Sequence, residues 1–75
     1  METIGKNIEL MQEMVQTILD PPPSWIRKWQ MEAEHVLFLA GNARQSSDYE
    51  QLRMLDAEAK RLVDLRLERL SGRKR

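Results

Sequence analysis

The chain has 75 residues, 41% hydrophobic and 32% charged, with twelve bases balancing twelve acids, one histidine and no cysteine. A domain this small removes only about 60% of its unfolded surface from water, and the composition excludes the disulfides and thiolate zinc sites that usually support such folds, leaving association between chains as the expected support. The hydrophobic share and the zero net charge exclude a disordered chain and give no bulk charge for a polyanionic partner.

The first predicted element is a helix over about 4–19. Ile4, Ile8, Met11, Val15 and Ile18 recur at spacings of four and three, with Leu10, Met14 and Leu19 beside them, which is a helical, heptad-like stripe. Gly5 and Asn7 weaken its first turn, so the well-formed part is expected nearer Ile8. Met11 and Met14 give this helix a soft surface that suits a core or a foreign apolar partner. The stretch 1–20 lacks the basic start and unbroken apolar run of a signal peptide, and no window of eighteen apolar residues occurs anywhere in the chain. A soluble, cytoplasmic protein with no membrane association is the expectation.

Pro21, Pro22 and Pro23 end the first helix, because proline lacks a donor and pushes the residue before it toward extended geometry. A corner over 20–24 follows, with Asp20 or Ser24 able to cap the next helix. Three prolines without a PxxP frame make a poor ligand for an aromatic groove.

The second helix is predicted over about 24–40. Ile26, Trp29, Ala33, Val36, Leu37 and Ala40 cover one arc, while Met31, Phe38 and Leu39 lie off it. Its second half, 36–40, is apolar on every side and needs cover all round. The stretch 25–40 is too short for a bilayer and is interrupted by Arg27, Lys28, Glu32 and Glu34, so the cover should be protein. Trp25 and Trp29 lie one turn apart and form an indole ridge, either a core anchor or an interface hot spot.

Gly41-Asn42 reads as a left-handed stop, and 41–46 as a loop. Ser47-Asp48-Tyr49-Glu50 fits a capping box with Ser47 as the cap, opening a third helix over about 47–70. Leu52, Leu55, Ala59, Leu62, Val63, Leu67 and Leu70 make its stripe, and the short loop folds it antiparallel onto the second helix. Asp56 with Lys60 and Glu58 with Arg61 read as helix-surface pairs. Arg66 falls inside the apolar stripe, where it can snorkel, pair with an acid across an interface or touch an outside partner. A frayed basic tail, 71–75, closes the chain. Residues 62–70 loosely resemble the last helix of small flagellar and type III secretion chaperones, all-helical binders of export substrates. That likeness covers nine residues and implies no more than an escort role.

Chemistry is thin. Glu32 and His35 form a Glu-x-x-His pair, a spacing used in di-iron sites, but at 100° per residue His35 lies roughly 140° from the stripe's centre and points outward. No metal, cofactor or small-molecule substrate is expected, and a small helical chain has little volume for a catalytic cleft. A helix-turn-helix wants a shorter connection than the one of about six residues read here, and acids alternate with bases on the third helix. Only Arg69, Arg73, Lys74 and Arg75 cluster as a nucleic-acid contact.

The sequence therefore reads as an all-α domain of three helices, the second and third as an antiparallel hairpin and the first packed on it or on a second chain. The expected function is a non-enzymatic protein-protein interaction module: an adaptor, chaperone-like escort or inhibitor, acting as a homodimer and toward another protein. Met11, Met14, Trp25, Trp29, Phe38, Leu39 and Arg66 are its expected interface. A nucleic-acid-associated regulator using the basic C-terminal end is the alternative.

Overall fold

The computed structural model describes residues 5–71. Ile4 and the basic residues Arg73, Lys74 and Arg75 lie outside the described residues. Three helices form: α1 over Lys6–Gln16, α2 over Ile26–Gln45 and α3 over Tyr49–Ser71. α3 packs on both α1 and α2, and α1 touches α2 as well, so the first helix is held by its own chain. The order is up, down, up. Trp29 Nε1 donates to Leu62 O across the α2–α3 pair, and Gln30 Nε2 reaches Val15 O across α2–α1.

The stripes read from the sequence meet in one core. Ile8 and Met11 from α1, Trp29, Ala33, Val36 and Ala40 from α2, and Leu52, Leu55, Ala59, Leu62 and Val63 from α3 are all buried. Alanine at 33, 40 and 59 keeps the backbones close, since interaxial distance follows the size of the side chains at the contact. Leu67 and Leu70 are about half exposed, because the α3 stripe runs on past the end of α1.

α3 caps α1 at both ends. Gly5, at φ 102°, begins α1 with no side-chain cap from α1 itself. The Asp56 carboxylate supplies it, accepting from the Asn7 and Ile8 backbone amides at 2.9 and 3.1 Å and from Asn7 Nδ2 at 3.0 Å. At the other end Arg66 Nη1 donates to Met14 O at 2.7 Å, and Nη2 to Thr17 O at 3.4 Å. These charges also have the signs that a helix dipole favours at its N- and C-terminus. Asp56 is thus a long-range cap rather than the partner of Lys60, which instead pairs with Asp64 at 3.1 Å; Glu58 does pair with Arg61. Asp56→Ala is expected to cost about 0.5–2 kcal/mol, read by denaturant unfolding, with α1 amides losing hydrogen-exchange protection first. Equal loss of protection across all three helices would contradict the capping role.

The helix ends are where the sequence reading shifts. α1 stops at Gln16 rather than near 19: Thr17 is extended, and Ile18 is 89% exposed. α2 starts at Ile26 without a side-chain cap, so neither Asp20 nor Ser24 takes that role. Gly41-Asn42 does not stop α2. The helix continues to Gln45 because Ala43 is buried in the core, and that packing outweighs the poor propensity of one glycine. It closes with a Schellman pattern, Asp48 N–H to Ala43 O at 2.8 Å and Ser47 N–H to Arg44 O at 3.2 Å. Ser47, at φ 55°, holds the left-handed position. The loop is therefore three residues, and Asp48, not Ser47, caps α3 through Oδ1 to the Gln51 N–H at 3.2 Å.

Glycine and serine are thus displaced from the places where each fits best. A Cβ at Gly41 would meet nothing within 4 Å, so Gly41→Ala should stabilise the fold by about 0.5–1 kcal/mol through helix propensity. Ser47→Gly should act in the same direction at the left-handed position. Thermal melts of the two variants check both signs.

Candidate protein-docking face

Three of the seven expected interface residues serve the inside of the fold. Met11 is fully enclosed, and Trp29 and Arg66 are each 3% exposed. Met11 lies in the core stripe of α1, and the other two share one cause: the Trp29 ring lies against the Arg66 guanidinium, 4.7 Å from its centroid, and that guanidinium is engaged by the α1 carbonyls. Arg66 neither snorkels nor meets an acid. Burial lowers its pKa from the ordinary guanidinium value, and its hydrogen bonds are what allow the charge to sit there. Met14, Trp25 and Leu39 are half-buried at the margin of the core. Phe38 stands out, 67% exposed.

Phe38 belongs to an outer face that the sequence reading only partly names. Met31 lies two turns before it on the same stripe of α2 and is 66% exposed. Between α2 and α3 runs an open, shallow groove with an apolar floor of Met31, Val36, Leu39, Leu55 and Leu62. Glu32, His35, Glu58 and Arg61 make its rim. Met54, also exposed, sits one turn before Glu58 on α3. Recurrence of large apolar residues at i and i+7 on the side opposite the core stripe was the available signal. Periodicity places Met31 off the core arc, and its i+7 relation to Phe38 is the sign of a second stripe.

The charges on this face lie at the rim, where Glu58 and Arg61 pair. The Glu58 carboxylate hydrogen-bonds Arg61 and raises the guanidinium's pKa, with Glu32 adding to the same effect more weakly. Such exposed pairs contribute little to stability. They set the polarity of a rim instead.

A second, smaller cleft lies toward the start of α2 and the end of α3, lined by Trp25, Lys28, Glu32, Arg61, Leu65 and Arg69. Arg69, the described member of the expected nucleic-acid cluster, holds its guanidinium 5.4 Å from the Trp25 ring centroid. Its neighbours there include an acid, Glu32, so the cleft is mixed rather than uniformly basic. Among the described residues no group of three or more His, Cys, Asp and Glu side chains could hold a metal ion, and no helix is long and apolar enough to cross a membrane. No family model, curated protein or solved structure matches the chain.

Proposed function

We propose that the protein is a small, non-enzymatic protein-binding module that receives an amphipathic helix on the α2–α3 face. The observation that carries this reading is the exposure of Met31 and Phe38, two-thirds each, beside a core that is already closed without them. Large apolar side chains left together on a small domain mark an interaction surface. A shallow groove between two antiparallel helices, with an apolar floor and charged rim, suits the helix-in-groove mode, in which anchors at i, i+3 or i+4 and i+7 of the ligand fill the floor. An adaptor, an escort or an inhibitor of a larger protein would each use such a face in the same way.

The nucleic-acid reading draws on Arg69 and the sequence 73–75. Arg69 already lies over Trp25 and Arg61 is paired with Glu58, and Glu32 shares that cleft, so among the described residues only Lys28 of its three cations has no such contact to give up for a phosphate. We favour the protein partner for that reason.

The test is a paired capture from the native host with the wild-type chain and the M31E/F38E variant. Both positions are exposed, so the variant should keep its fold to within about 0.5 kcal/mol. It should lose at least tenfold in partner binding, the scale expected for removing two hot-spot anchors. A partner recovered equally well by both proteins would refute the assignment of this face.

A further inference from the structure

We infer that the helix received on this face is α2 of a second copy of the chain, laid antiparallel about a two-fold axis that passes beside His35. This rests on the docking reading above and names the occupant. The argument is one of self-complementarity, because a two-fold interface must bring the same patch against itself.

On α2, Met31 and Phe38 lie on one stripe to either side of His35. An antiparallel two-fold between them sets Met31 against Phe38 of the second copy, and Phe38 against that copy's Met31. On α3 the matching level follows from contacts across the helix pair. Trp25 lies under Arg69, Trp29 bonds the Leu62 carbonyl, and Leu39 shares the groove floor with Leu55. Interpolated between those contacts, the level of His35 on α2 falls at the turn of α3 that carries Glu58 and Arg61.

The same axis therefore brings Glu58 of one chain toward Arg61 of the other, and Arg61 toward Glu58. Apolar meets apolar on α2, and acid meets base on α3, under one symmetry operation. The Glu58–Arg61 pair within each chain then becomes a network of four charges across the contact, with the Glu32 carboxylates at its margin. Glu34 and His35, which flank the midpoint between Met31 and Phe38, are the titratable groups of α2 nearest the axis.

Size sets the expected affinity. Met31, Phe38 and Met54, each about two-thirds exposed, bring on the order of 100 Å² of apolar surface apiece. With the polar rim, the doubled face reaches only the low end of the range for specific interfaces, about 1,200 Å² in total. A dissociation constant on the order of 10 μM is expected.

Sedimentation equilibrium of the full chain from about 1 μM to 1 mM tests this. Wild type should pass from monomer to dimer, and Met31→Glu should remain monomeric throughout. Glu58→Arg and Arg61→Glu should each weaken the dimer at least tenfold, since each sets like charges against one another at both symmetry-related positions. An equimolar mixture of the two should recover a heterodimer, because one chain then carries two bases and the other two acids. Far-ultraviolet circular dichroism of every variant confirms that the helices persist.

A wild type that stays monomeric at 1 mM overturns the inference, as does a dimer indifferent to Met31→Glu or a mixture that fails to associate. If the chain is monomeric yet a foreign protein is captured by wild type and lost by M31E/F38E, the second copy is wrong and the docking face stands. If neither association is found, the face itself is wrong.

Discussion

Replacing Arg66 with alanine is expected to destabilise the protein by about 3 kcal/mol, the scale for removing a buried, charge-assisted hydrogen bond together with the packing of its stem. The Thr17 carbonyl loses its Arg66 donor, Met14 O keeps only the Thr17 N–H at 3.1 Å, and the stem that packs over Trp29 is lost with them. Arg66→Met keeps most of the packing and should cost less, about 2 kcal/mol. Arg66→Lys keeps the charge at the end of α1 but cannot fork to two carbonyls, so it should fall between wild type and methionine. Urea unfolding gives the order, and hydrogen exchange gives the location. If α1 amides keep their protection in Arg66→Ala while global stability falls, Arg66 matters for packing alone.

Trp29→Ala should cost more, about 3–5 kcal/mol. The indole is buried in the core, donates to the Leu62 carbonyl at 2.8 Å, and forms the surface on which Arg66 rests. A domain of 75 residues has a total stability on the order of 4–11 kcal/mol, so this variant should lose between about a quarter and all of it. The alanine variant is therefore unsuitable as a probe of docking, since loss of binding would follow from loss of fold. Trp29→Phe should retain the fold at a smaller cost, with Leu62 O left unsatisfied. In a double-mutant cycle Trp29 and Arg66 should couple by about 1–2 kcal/mol; additivity within 0.3 kcal/mol would show that the guanidinium and the indole act independently.

Periodicity was enough to read the three helices and most of the core. The positions 29, 33, 36 and 40 of α2 and 52, 55, 59, 62 and 63 of α3 are buried as their spacing implies, because a stripe of that width has one face to hide. The ends of the helices were legible only in part, since they are decided by groups far away in sequence. Asp56 looks like half of a local pair with Lys60, yet its acceptors are used at Asn7 and Ile8. Gly41 looks like a stop, yet the burial of Ala43 carries the helix past it, and Ser47 takes the left-handed position usually given to glycine. Arg66 was the hardest residue to read. Its partners are backbone carbonyls near the end of another helix, and no side chain in the sequence advertises them.

The expected surplus of apolar surface was half legible for the same kind of reason. One indole and one methionine of the named set are absorbed by the core, while Phe38 is not. Met31 belongs beside it, and the groove that Met31 lines exists only once α2 and α3 lie together.

The paired contacts on α1 also constrain how the chain can vary. Asp56 and Arg66 are separated by ten positions on α3, about 15 Å of helix, and they meet the two ends of α1, at Asn7 and Ile8 and at Met14 and the capping Thr17. α3 thus acts as a gauge against which α1 is measured. Adding a turn to either helix alone would leave one terminus of α1 without its ion, whereas matched insertions in both would preserve the fit. Length changes in this protein should therefore be tolerated in the proline segment that joins α1 to α2, and inside α1 or the middle of α3 only in compensating pairs.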